Sequence, residues 1–204
     1  MARQRTRAVS SKGAGKKRAE SMRAVLKEHP IARRWSTING AIQIALAVPE
    51  VYDEKKVAEL IELLDQKMDD ILTCVYCGDD AATWDHLLNN IQGGRFSGYG
   101  NRILNLVPAC RTCNERKGGK PWRDFVKEVA PTNVEDVIRR LAAVEARNDV
   151  ERHSWEMIQT RYPDLASSYD RAQGELRAKV QELDKIAEQI RAAIRRDLAK
   201  GSAG

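Results

Sequence analysis

The chain has 204 residues, of which 42% are hydrophobic and 31% charged, and it contains no apolar run near the roughly 20 residues of a bilayer span. That excludes a membrane-spanning protein of the helical kind and fits one or two soluble domains, with a core of Leu, Ile, Val and Ala because only two Phe are present. The net charge of +6 is uneven: residues 1–34 hold eleven Lys or Arg against two acids, so this arm carries +9 and the remainder −3.

Residues 1–20 are basic and small, with too little apolar surface to offset chain entropy, so they read as a disordered arm. The arm suits a polyanion such as a nucleic-acid backbone, or serves only as a solvated tail. It lacks the apolar segment of a secretory signal, so the expected location is cytoplasmic. A short helix fits Glu20–Lys27, stopped before Pro30. Ser36 is placed to cap a helix to about Val48, and Asp53 a second one to about Leu72. In the second, Val57, Leu60, Ile61, Leu64, Met68 and Ile71 recur at helical spacing. Residues 35–72 thus read as a helical hairpin, and 73–130 as the next domain.

All four cysteines fall in residues 74–117, as Cys74-x-x-Cys77 and Cys110-x-x-Cys113. In a reducing compartment two such pairs point to a tetrahedral thiolate site, expected to hold structural Zn²⁺. Four protein ligands leave no open position on that ion. Thr83-Trp84-Asp85-His86 reads as a short strand, whose last two residues point to opposite faces. Gly93-Gly94 and Gly98-x-Gly100 mark a mobile loop, Leu104–Val107 a second strand, and Cys110 to Lys117 a helix. Strand, loop, strand and helix make a ββα unit.

After this segment, Trp122–Val129 reads as a helix with Trp122 in the core, and Asn133 is placed to cap another. His153, Trp155, Met157 and Ile158 lie on a further helical segment, His153 without metal-ligand neighbours. A long helix spans about Leu165–Lys200. Leu176, Val180, Leu183, Ala187, Ile190 and Ile194 form an a/d seam on it, which either dimerises or packs on its own chain. Residues 131–204 form this C-terminal helical region. The expected fold is mainly α, with a small central ββα-metal finger stapled by zinc.

Cys74-x-x-Cys77, Thr83-x-Asp85-His86-Leu87, Gly93-Gly94, Asn105-Leu106-Val107-Pro108-Ala109-Cys110-Arg111-x-Cys113-Asn114 and Lys117 together resemble the HNH endonuclease superfamily. The likeness is to its variants with Asn at the third motif position, among them phage endonuclease VII and restriction-type enzymes. The resemblance implies a DNA endonuclease in a bacterial or phage-infected cell. It implies His86 as general base, Asn105 as the residue orienting it, and Asp85 and Asn114 as ligands of a catalytic Mg²⁺ or Mn²⁺. Asn101 is a rival to Asn105. Arg111, Lys117, Arg116 and Arg95 are candidate DNA contacts. A homodimer through 165–200 would allow both strands to be cut. The alternative is a zinc-stapled nucleic-acid-binding module that does not cut.

Overall fold

The computed structural model describes residue 22 and residues 26–129, 133–148 and 153–201. The expectations for the arm over 1–20 and for most of the helix at Glu20–Lys27 fall outside these residues. The chain divides into two compact units, Trp35–Ala178 and the pairing of Met1–Arg34 with Lys179–Gly204.

The larger unit opens with α1 (Trp35–Ile44) and α2 (Glu54–Leu63). Ser36 lies inside the first turn of α1 and caps nothing. Asp53 does cap α2, its carboxylate accepting from Lys55 N at 2.9 Å. The helix stops at Leu63, well before Leu72, although the apolar period continues. Asp65 adopts a positive φ of 55°, and the Gln66 side chain both donates to Thr73 O (3.0 Å) and accepts from Thr73 N (2.8 Å). This clasp turns the chain so that it enters the first cysteine pair, and it leaves Met68 and Ile71 exposed.

The ββα unit follows. Strand β1 (Thr83–His86) is paired antiparallel with β4 (Leu106–Ala109), in the register Thr83↔Ala109 to His86↔Leu106. Between them β2 (Ile91–Gln92) and β3 (Arg95–Phe96) form a hairpin. Gly93 and Gly94 both have positive φ (57° and 79°), the requirement of a tight two-residue turn matched to strand twist. The expected mobile loop is therefore partly a hairpin. Only Gly fits at Gly98, where a Cβ would sit 2.6 Å from Ser154 N. The second strand starts later than its apolar run suggests, because a 3₁₀ turn over Ile103–Asn105 uses those residues first. Helix α3 (Arg111–Lys117) starts after Cys110, whose sulfur accepts from Cys113 N.

Helices α4 (Trp122–Val129), α5 (Val134–Arg147), α6 (Trp155–Arg161) and α7 (Pro163–Gly201) complete the order. Asn133 stands at the start of α5 without a side-chain capping bond, whereas Ser154 caps α6 by accepting from Met157 N. Leu60, Leu64, Tyr76, Leu87, Val107, Phe125, Leu141 and Val144 belong to one buried cluster. Tyr76 meets Phe125 edge to face at 5.1 Å. The finger's inner face and α2, α4 and α5 thus share a core, which holds the site's strands rigid. Trp122 is buried as expected. The fold is mainly α around a small ββα finger.

In the smaller unit, Ile31 N and Ala32 N donate to the Asp184 carboxylate at 2.7 and 2.8 Å. Glu28 pairs with Arg191 and Arg195. Along α7 the expected seam is largely open: Leu176, Leu183, Ile190 and Ile194 are exposed, while Val180 is buried. Among the described residues no helix is long and apolar enough to cross a membrane.

Candidate active site

The cysteines come from two turns brought together by the finger. Gly78, at φ 81°, lets its N–H return to Cys74 O at 2.9 Å, which folds the first pair into a knuckle. Cys110 and Cys113 come from the entry and first turn of α3. The four sulfurs lie within 4.8 Å of one another, and Cys77 Sγ is 3.7 Å from Cys110 Sγ. Sulfurs held at about 2.3 Å around a tetrahedral ion would stand about 3.8 Å apart, so the cluster has the dimensions of a zinc site. Without an ion, Cys77 and Cys113 resist ionisation. Burial pushes Cys77 up to about 12 and raises Cys113 as well, with Cys74 adding to both. Burial opposes ionisation of Cys110 too, but the Cys113 N–H and the adjacent thiols outweigh it and lower that one group. The Cys110 thiolate is favoured while those of Cys77 and Cys113 are not, a balance that a bound cation reverses.

Helix α3 lies along β1. Asn114 and Lys117, three residues apart and so on one helical face, reach successive parts of the strand. Asn114 Nδ2 donates to Thr83 Oγ1 (3.0 Å) and Trp84 O (3.2 Å), which leaves its Oδ1 as the amide's acceptor. Lys117 Nζ lies 3.1 Å from Asp85 Oδ2 and 3.3 Å from Oδ1, and donates to His86 O at 2.7 Å. Tyr76 OH donates to Asp85 Oδ2 at 2.6 Å. Burial, and then the Asp85 charge, hold the Tyr76 phenol well above its ordinary range, so it stays a neutral donor.

At the end of β1, half-buried His86 directs Nε2 at Asn101 Oδ1, 2.9 Å away. Asn105 is fully buried and touches the main chain instead. Its Oδ1 accepts from Leu88 N (2.8 Å), and its Nδ2 donates to Leu88 O (3.0 Å) and Gly100 O (3.2 Å). Its own carbonyl accepts from Leu87 N at 2.8 Å. Glu50 braces the same loop: Oε2 accepts from Ile103 N at 2.8 Å, Oε1 pairs with Lys56, and Glu50 N donates to Asn101 O.

Residues 74–120 match the family model described as HNH endonuclease. This segment is an HNH endonuclease domain. No curated protein and no solved structure matches the chain.

Within the HNH domain, the expected roles meet the geometry unevenly. Asp85 and His86 end β1, Asn114 bonds to its first two residues, and Asn105 holds the backbone just past it. The residue at the His86 ring, however, is Asn101, while Asn105 holds the backbone beside it. Sequence spacing to Pro108 and Cys110 favours Asn105 and carries no information about the ring contact, which depends on the loop path after Gly100. Lys117 is corrected as a phosphate contact: it is 1% exposed and its ammonium is enclosed by oxygens. Arg95 pairs with Asp170 at 2.6 Å and lies over the Trp155 ring, and Arg116 pairs with Glu128. Both already have structural partners, whereas Arg111 is exposed with no ion pair among the described residues. Tyr76, Asn89, which accepts from Lys117, and Glu50 are contributors that the sequence reading missed. Only Tyr76 left a signal, as a large aromatic residue between two zinc-spaced cysteines.

Proposed function

We propose that the chain is a metal-dependent endonuclease that hydrolyses DNA phosphodiester bonds to 5′-phosphate and 3′-hydroxyl ends. One constellation carries the reading: an imidazole at the end of β1, held at Nε2, beside the oxygen donors Asp85 and Asn114 in an HNH domain. Asn101 Oδ1 can only accept, so Nε2 carries the proton and Nδ1 keeps its lone pair. Nδ1 is then the atom that takes a proton from the attacking water. Asn105 orients His86 indirectly, by fixing the Leu87–Leu88 backbone.

Asp85 and Asn114 offer oxygen only, a donor set suited to Mg²⁺ or Mn²⁺. The fit is supported by Asn114, whose Nδ2 is spent on β1 and whose Oδ1 is left as a ligand atom, and by the oxygen-lined space at Asp85 that already takes an ammonium. Such an ion, when bound, stabilises charge on the phosphate and on the leaving 3′-oxygen. The four cysteines hold structural Zn²⁺. Arg111 is the residue on α3 best able to meet a phosphate, and the basic arm adds salt-sensitive affinity for DNA. A second copy, joined through the α7 seam, would supply the cut on the other strand.

The test is nicking of supercoiled plasmid by zinc-loaded protein in Mg²⁺ or Mn²⁺. Wild type is expected to nick, and His86→Ala to be slower by at least about 10²-fold with unchanged zinc content and circular dichroism. Equal rates would remove His86 from the mechanism. A second reading, a zinc-stapled module that binds without cutting, draws on the Asp85 carboxylate being engaged by Tyr76 and Lys117. It predicts salt-sensitive DNA binding and no nicking in any of Mg²⁺, Mn²⁺ or Co²⁺.

A further inference from the structure

Lys117 is the charged side chain that the proposed chemistry does not use. It is 1% exposed, on the last turn of α3, and its ammonium stands among four oxygens: both of Asp85, His86 O and, at 3.4 Å, Asn89 Oδ1. A buried ammonium persists only where such acceptors replace its water. Its charged partner, Asp85, is also one of the two donors of the proposed divalent site and is 5% exposed. Tyr76 OH occupies Oδ2 from another side, so the carboxylate has little room left.

From this juxtaposition we infer that Lys117 is a tethered internal cation that competes with the divalent ion for Asp85. With no divalent ion bound, the ammonium neutralises the carboxylate and keeps α3 docked on β1. A divalent ion held by Asp85 would share that carboxylate with the ammonium, and like charges in a buried site repel strongly. Ion entry therefore requires Lys117 to withdraw from Asp85. His86 O and Asn89 Oδ1 remain as its acceptors. The ammonium sets the affinity for the ion and prevents a buried, unpaired carboxylate in its absence. This inference rests on the metal-dependent reading of the site.

The experiment measures Mn²⁺ binding directly, from the electron paramagnetic resonance signal of free Mn²⁺, on zinc-loaded wild type, Lys117→Met and Asp85→Asn. Lys117→Met is expected to bind Mn²⁺ at least about tenfold more tightly than wild type, and its Tm to rise more on adding Mn²⁺. Binding equal to wild type, or weaker, in a folded Lys117→Met would overturn the competition. Should that variant fail to fold, the wild-type chain gives the answer through acylation of Lys117, followed by peptide mass spectrometry. Labelling should increase with Mn²⁺, and labelling indifferent to saturating Mn²⁺ overturns the proposal. Failure of the underlying reading looks different: Mn²⁺ affinity would be the same in wild type and Asp85→Asn, or absent in both, and the competition falls with it.

Discussion

Asn101 and Asn105 separate two jobs that motif spacing assigns to one residue. Asn105 satisfies the N–H and C=O of Leu88 and the carbonyl of Gly100 from a fully buried position. Asn105→Ala would strand those groups, at about 1–3 kcal/mol for each unsatisfied one that water does not reach. It is expected to lower unfolding stability by about 3 kcal/mol in urea titration. Asn101 is exposed and its side chain meets the His86 ring. Asn101→Ala should leave stability within about 0.5 kcal/mol of wild type, as surface substitutions do, while slowing plasmid nicking. If both variants lost stability equally, the division of roles would fail. The segment that carries His86, Asp85, Asn105 and Asn114 was legible in the sequence as an HNH domain, because its cysteine pairs and polar positions form a rare combination. The His86–Asn101 contact was not legible, because it depends on a turn made possible by Gly100 at φ 61°.

Among the elements, the connection between α1 and α2 has a role beyond scaffold. Glu50, in the connection between them, ties the 101–103 loop to Lys56 of α2. Burial alone would raise the Glu50 carboxyl; the bond from Lys56 and that from the Ile103 N–H outweigh it and hold the group below its ordinary value. A carboxyl depressed in the folded state stabilises above its unfolded pKa and loses that contribution as pH falls through the folded value. Wild type should therefore be more stable than Glu50→Gln above pH about 5, with the gap closing as the solution is acidified through and below the usual carboxylate range. A gap constant across that titration would show that Glu50 acts through packing and not charge. The same scale explains the early end of α2. Helical periodicity runs on to Ile71, but the Gln66–Thr73 clasp takes the chain out of the helix to deliver Cys74 to its site. Local propensity yields to a tertiary constraint there. The hairpin at Gly93-Gly94 was half legible: the glycines announced a turn, and the pairing of Ile91 with Phe96 made it a sheet.

For the whole molecule, α7 bears on the proposed dimer. Its seam leaves Leu183, Ile190 and Ile194 each slightly over half exposed. A dimer through that seam predicts that Leu183→Asp with Ile190→Asp shifts the sedimentation coefficient from dimer to monomer, and that double-strand cuts fall while single nicks persist. Identical sedimentation of variant and wild type would end the dimer proposal.

What the sequence by itself determined is the class of the finger and the four cysteines of its metal site. Cysteine pairs and the Asp-His and Asn positions are local patterns, and their chemistry follows from residue type. Only the tertiary structure decided which neighbour each of these groups faces. Asp85 meets Lys117 and Tyr76, His86 meets Asn101, and the loop is braced by Glu50, because the docking of α3 on β1 and the turn at residues 98–100 bring together residues up to 53 positions apart. Such contacts depend on the path of the backbone in space, which spacing along a chain does not encode.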